Sequence, residues 1–288
     1  MGFFQTFWTW LSAQLTGYIG DNTARLSATL EPAIVTFATI YVAVWGYLQL
    51  TGSIEQPFMV GLKRILTLAV ILGTSLRLWL YNSVIVDTFY NAPVQLAAAI
   101  VGSRDPVSVI DTIWDQGGAV AGYLWSHTGA GVFLGFGYFV AGAIVWLLIG
   151  LLCVYTMFLI ALSSIALAVL LALGPLFIPA LLFERTKRLF DAWLAQLTNY
   201  ALITILTVMV AALLLRIVES YAIQTAARGA AILTVDALNM VLVSVLVFLL
   251  MRQVMPIAAG IAGGVALSSF GAVSRAVRTS LRPFGVTV

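Results

Sequence analysis

The sequence predicts an all-α, polytopic integral membrane protein with about five net transmembrane crossings, a long bent or re-entrant apolar segment and a hydrophilic central loop. Three observations predict it. First, only 9% of the 288 residues are charged and 62% are hydrophobic. A soluble domain carries about 25% charged residues, and no water-facing surface can be built from so few. Second, residues 32–54 and 192–215 are uncharged over 23 and 24 positions, enough for a helix to cross a hydrocarbon core about 30 Å thick. Third, residues 128–183 contain no Asp, Glu, Lys, Arg or His over 56 positions. As one straight helix that run would be about 84 Å long at 1.5 Å per residue, so it must bend, re-enter or cross twice.

Residues 1–31 are aromatic-rich. Phe3, Phe4, Phe7, Trp8, Trp10 and Leu11 alternate with Gln5, Thr6, Thr9 and Ser12. This suits a helix at the membrane interface, or a short helix packed on the bundle. There is no basic n-region and no long apolar core of the signal-peptide kind. Residues 32–86 hold the first two spans. Pro32 fits the start of the first, and Lys63-Arg64 separate it from the second, at 65–86. Arg77 falls near the middle of that second span. A guanidinium at bilayer depth costs roughly 2.5–3.5 kcal/mol on insertion scales. Arg77 therefore faces a pore, protein or subunit partner, or snorkels outward beside Trp79 and Tyr81 in an interface belt.

Residues 87–127 form the central loop, with Asp87, Arg104, Asp105, Asp111 and Asp115 giving a net charge of −3. Two pieces read as short amphipathic helices resting on the membrane. Residues 128–252 form the C-terminal bundle. Its long run has bend points at Gly174-Pro175 and Pro179 and ends in a basic turn, 184–191, with Arg185, Lys187 and Arg188. Spans at 192–215 and about 230–252 follow. The tail, 253–288, is Gly-rich and basic. Gly260 and Gly264 make a GxxxG pair that permits close helix approach, and Arg275, Arg278 and Arg282 recur at helical spacing.

Lys and Arg concentrate on the cytoplasmic side of such proteins. With the N-terminus outside and one net crossing in the long run, nine of them lie inside and four outside, with Arg77 in the membrane. An N-inside arrangement with two crossings in that run gives the same ratio. Lys63 and Arg64, just after the first span, favour the N-outside, C-inside version.

Little chemistry is visible. The sequence has no phosphate-binding glycine loop, no zinc-ligand pair and no Cys/His couple. His127 stands alone, Ser163 and Ser164 lie in apolar surroundings without a base, and Cys153 reads as a small buried residue. No catalytic, cofactor or metal residue is assigned, and no cofactor is expected. No acid falls clearly at mid-membrane and no two-fold internal repeat is evident, which argues against an ion-coupled transporter.

The block Gly174-Pro175-Leu176, Phe183-Glu184-Arg185-Thr186-Lys187, Trp193-Leu194, Gln196-Leu197 and Tyr200 resembles the polytopic inner-membrane subunit of type IV secretion systems, the TrbL/VirB type. The sharp likeness covers residues 170–205, and the layout likeness nearly the whole chain. The resemblance implies a non-enzymatic platform or channel subunit that passes DNA or protein across the inner membrane and supports the pilus or stalk. It implies a periplasmic N-terminus and central loop, a cytoplasmic C-terminus and homo-oligomerisation. Its partners would be the system's ATPases, stalk or pilus components and core-complex proteins, besides membrane lipid and transient contact with DNA or protein substrate. The acidic central loop suits contact with other subunits better than with DNA phosphates. The alternative is a stand-alone membrane transporter or channel. Candidate pore or assembly positions are Arg77, Gly174, Pro175, Pro179, Arg185, Lys187, Arg188, Trp193, Gly260 and Gly264.

Overall fold

The computed structural model describes residues 2–52, 58–102, 105, 107–126, 132–182, 186–228 and 241–263. Every regular element among them is helical. In chain order these are α1 (Phe3–Leu50), α2 (Phe58–Leu76), α3 (Leu78–Val101), α4 (Ser108–Ser126), α5 (Val132–Ala172), α6 (Gly174–Phe177), α7 (Lys187–Arg228) and α8 (Val241–Gly263). The middle of α3, Asn82–Asn91, is wound as a π-helix, and a 3₁₀ turn, Ile178–Leu182, follows α6. Helices α1, α3, α5, α7 and α8 are long and apolar enough to cross a membrane.

These five membrane-length helices, counted among the described residues, equal the expected number of crossings, but three boundaries differ. Helix α1 runs for 48 residues with Pro32 inside it rather than at its start. The preceding residues Ala28-Thr29-Leu30-Glu31 contain no breaker, and membrane helices tolerate an internal proline. The span expected at 65–86 is divided at Arg77, whose backbone is extended (φ −98°, ψ 105°). Ending α2 at Leu76 leaves Arg77 exposed, and the chain restarts as α3 through Asp87 to Val101. Helix α8 continues past Arg252 and Pro256 to Gly263, beyond the expected end at 252; residues 230–240 of that span lie outside the described residues.

The 56-residue apolar run resolves into one 41-residue helix, α5, and a short elbow. At 1.5 Å per residue α5 is about 62 Å long, twice the hydrocarbon thickness.

The chain divides into two compact units. The first comprises residues 1–13, 92–165 and 200–259. Its core is a continuous aliphatic cluster in which Ile110, Ile113, Ile149, Leu152, Leu159 and Ile203 are almost fully buried. Ser163 of α5 and Thr204 of α7 share a buried hydrogen bond of 2.8 Å. That bond satisfies two hydroxyls in an apolar setting, so Ser163 serves packing. The first turn of α1 belongs to this unit. The Phe4 and Gln5 amides each donate 3.0 Å bonds to the Asp111 carboxylate of α4, and the Gln5 Nε2 donates to Asp105. Free amides at a helix start carry partial positive charge, and a carboxylate placed there satisfies them. Phe4 then packs edge-on against Trp114, which meets Trp146 of α5. The aromatic start of α1 is thus packed on α4.

Of the described residues, the second unit comprises 14–91, 166–199 and 260–263. It contains Tyr81, Leu167, Leu171, Ile178, Trp193 and Leu197 as buried side chains, and it holds the elbow.

Candidate functional site

The elbow follows from two prolines. Pro175 has no N–H, so the carbonyl four residues back, Leu171, loses its helical partner, and the ring crowds that same carbonyl. Pro179 does the same to the carbonyl of Pro175. A bare carbonyl in an apolar layer costs several kcal/mol. Side chains from elsewhere in the second unit meet both. The Tyr81 hydroxyl of α3 donates to the Leu171 carbonyl, and the Ser75 hydroxyl of α2 donates to the Pro175 carbonyl at 3.1 Å. The repair extends outward, because the Ser27 hydroxyl of α1 donates to the Ser75 carbonyl at 3.2 Å.

Two further carbonyls at the end of α5 are also accounted for. Val169 accepts from the Leu173 amide at 3.2 Å, and Leu170 accepts from the Trp193 indole Nε1 at 2.8 Å. The Trp193 ring stacks on Phe177 with centroids 5.9 Å apart and planes at 16°. The Thr186 hydroxyl donates to the Ala180 carbonyl at 2.7 Å, tying the start of α7 back to the 3₁₀ turn. Gly174 is buried beneath Tyr81, and a Cβ there would overlap the phenol ring and its hydroxyl. The Gly-Pro pair therefore has two separate reasons. Proline frees the carbonyl, and glycine lets the tyrosine reach it.

Of the sequence-predicted positions, Gly174, Pro175, Pro179 and Trp193 come together in this elbow. Lys187 lies beside it, lining a cavity with Lys63, and Arg188 is exposed. Arg77 is exposed at the break between α2 and α3; its amide donates to Gly73 and its carbonyl accepts from Tyr81. Gly260 is exposed near the end of α8, with open space where a side chain would be. Arg185 and Gly264 lie outside the described residues, as do His127, Arg275, Arg278 and Arg282.

Three participants escaped the sequence reading. An interface belt of Trp79 and Tyr81 is one of two alternatives for the Arg77 region, yet Tyr81 is 1% exposed, whereas Trp79 is 71% exposed. Ser75 carries no local signal, because its partner is 100 residues away. Asp191, two residues before Trp193, is buried, and one of its carboxylate oxygens has no hydrogen-bond partner among the described residues. An acid closing the otherwise basic turn, two residues before Trp193, is the available signal. The arrangement contains no nucleophile with a base, and no metal-ligating cluster occurs among the described residues. What it does chemically is hold a sharp turn in an apolar chain with its backbone satisfied.

Residues 38–254 match the family described as TrbL/VirB6 plasmid conjugal transfer protein. That stretch contains the whole elbow except Ser27. Among curated proteins the chain is similar to the type IV secretion system protein VirB6 of Bartonella quintana (strain Toulouse), 22% identical over 213 residues, covering 71% of this chain and 63% of the relative. It is also similar to the VirB6 protein of Brucella abortus biovar 1 (strain 9-941), 26% identical over 211 residues, covering 68% of this chain and 59% of the relative. The chain thus spans less than two thirds of the length of these curated relatives. The family match takes in three quarters of the residues, including α2 through α7, and on that extent the chain belongs to the TrbL/VirB6 conjugal transfer family.

Proposed function

We propose that this chain is a non-enzymatic platform or channel subunit in the inner membrane of a type IV secretion, or conjugation, machine. In that role it helps DNA or protein substrate across the membrane and supports pilus or stalk assembly. The observation that carries the reading is the family match over residues 38–254. Five helices long and apolar enough to cross a membrane suit a multi-pass subunit. With no phosphate-binding loop in its sequence, the chain draws on ATPases among its partner subunits. The other partners are stalk or pilus components, core-complex proteins and further copies of itself. Gly260, which leaves open space on α8, suits the close approach of a neighbouring helix.

The distribution of Lys and Arg supports a periplasmic N-terminus and central loop and a cytoplasmic C-terminus. The basic turn 184–191 then faces the cytoplasm, at the foot of the elbow. The Gly174–Lys187 region is the assembly feature in this reading, with Arg77, Arg185, Arg188 and Gly264 as further positions.

The test is conjugal transfer from a Gram-negative donor whose own copy of the gene is deleted. The intact chain is expected to restore plasmid transfer. A chain with Arg185, Lys187 and Arg188 all changed to Glu, at the same membrane level, is expected to lower transfer at least ten-fold. Full transfer by the deletion strain would sink the proposal. Solute flux through liposomes containing the purified chain alone would instead favour a stand-alone transporter.

A further inference from the structure

The second unit contains a cavity of about 640 Å³ between α2 and the elbow. An adjoining space of about 290 Å³ shares Lys63, Thr67, Ile71, Leu181 and Leu182 with it and adds Tyr41 and Leu68. A volume of several hundred Å³ with apolar walls and a few polar groups is the usual form of a small-molecule site. Here the polar groups are concentrated. Lys63 of α2 and Lys187 of α7 both line the larger space, and neither makes an ion pair with a described residue. The walls are Leu66, Val70 and Ile71 of α2 and Leu181 and Leu182 of the 3₁₀ turn.

The order along α2 is informative. Lys63 sits near the start of the helix. Val70, seven residues on, lies about 10 Å further along the axis at 1.5 Å per residue. Along α2 the lining therefore runs from cationic Lys63, past Thr67, to apolar Val70. Leu66 and Val70 are 58% and 63% exposed, so the apolar side of the cavity is open at the surface. A free phosphate would use the two ammonium groups and leave these walls idle. An acidic peptide would do the same.

We propose that this cavity is a binding site for one anionic phospholipid, its headgroup phosphate held by Lys63 and Lys187 and one acyl chain lying along Leu66, Val70 and Leu181. Basic pockets between transmembrane helices bind anionic headgroups by this logic. The occupant would also fill the space beside the elbow and brace the 3₁₀ turn against α2. The proposal rests on the cavity alone and stands whether or not the chain serves a secretion machine.

The test uses the full chain in neutral detergent with phosphatidylglycerol, phosphatidylcholine or inorganic phosphate as probes. Native mass spectrometry reads the bound lipid, and thermal unfolding reads the stabilisation. One phosphatidylglycerol per chain is expected to be retained in preference to phosphatidylcholine and to raise the unfolding temperature. A juxtamembrane Lys contributes about 1 kcal/mol toward anionic lipid, so changing Lys63→Gln and Lys187→Gln together is expected to weaken retention about thirty-fold. The Lys63→Arg, Lys187→Arg pair should keep it. Arg188→Gln, which is exposed and does not line the cavity, should stay within two-fold of the unaltered chain.

Equal retention of phosphatidylcholine would overturn the proposal. So would an equal loss from Arg188→Gln, or the full thermal effect from inorganic phosphate alone. If the double Gln chain does not fold, Lys187→Gln alone and the lipid preference of the unaltered chain decide the question.

Discussion

Pro175 and Pro179 each strip a carbonyl of its helical partner, and single side chains answer each loss. Replacing Tyr81 with Phe keeps the ring and removes the donor to Leu171. Interhelical hydrogen bonds in membranes average about 0.6 kcal/mol, and leaving a buried acceptor bare costs about 1–3 kcal/mol. Tyr81→Phe is therefore expected to destabilise the folded chain by about 1–3 kcal/mol, read by thermal unfolding in detergent. Gly174→Ala attacks the same contact from the other side, since its Cβ would overlap the phenol. It should cost at least as much, and Tyr81→Ala should relieve part of that cost in the double variant. Additive losses would show that the two residues do not share a contact. Asp111 makes a different kind of bond, receiving the amides of Phe4 and Gln5. Asp111→Ala removes both acceptor oxygens and the charge. It is expected to cost about 0.5–2 kcal/mol, the range of a lost helix cap, and to make the first turn of α1 cleavable by protease at lower concentration than in the unaltered chain.

At the scale of elements, the bend itself can be removed. Changing Pro175 and Pro179 together to Ala restores two amides and lets α5 continue toward α7 as ordinary helix. The expected outcome is a chain that inserts at normal levels but supports transfer at least ten-fold less well, because Lys187 is displaced from its place beside α2. Unchanged transfer would show that the elbow serves packing alone. Much of this element was legible beforehand, because proline acts on its own neighbours. Gly174-Pro175 and Pro179 marked the bend, and 56 uncharged residues required one. What closes the bend was not legible. Tyr81 and Ser75 lie 90 and 100 residues from their acceptors, and nothing local in Trp79-Leu80-Tyr81 distinguishes a buried donor from an interface tyrosine. Pro32 shows the converse limit. A proline is compatible with a helix start and with a membrane helix interior, and the unbroken residues before it decided for the interior. The break at Arg77 contains neither proline nor glycine, so no propensity rule announced it.

For the whole molecule, sidedness is the quantity the proposed role depends on. On a Cys153→Ser background, single cysteines at Asp21, Thr112 and Arg188 occupy exposed positions. In intact spheroplasts, a membrane-impermeant maleimide is expected to label the first two and spare the third. Labelling at Arg188 would put the basic turn outside and overturn the orientation drawn from charge. The crossing number was readable from composition and run length because both are averages over many residues. The division into two units was not. Helices α1, α3, α5, α7 and α8 each contribute to both, and a boundary that cuts through continuous helices leaves no linker in the sequence to find.

The elbow's repairs also carry a clock. Ser27, Ser75 and Tyr81 leave the ribosome long before the two prolines, so their hydroxyls are in place when the kinked segment arrives. Trp193 follows Leu170 by 23 residues. At synthesis rates of about 5–20 residues per second that is a delay of roughly 1–5 seconds. During that interval one carbonyl at the end of α5 must be hydrated or held by the insertion machinery. The chain therefore cannot lock its turn until α7 has begun to emerge, which makes closure of the elbow a late, ordered event in biogenesis.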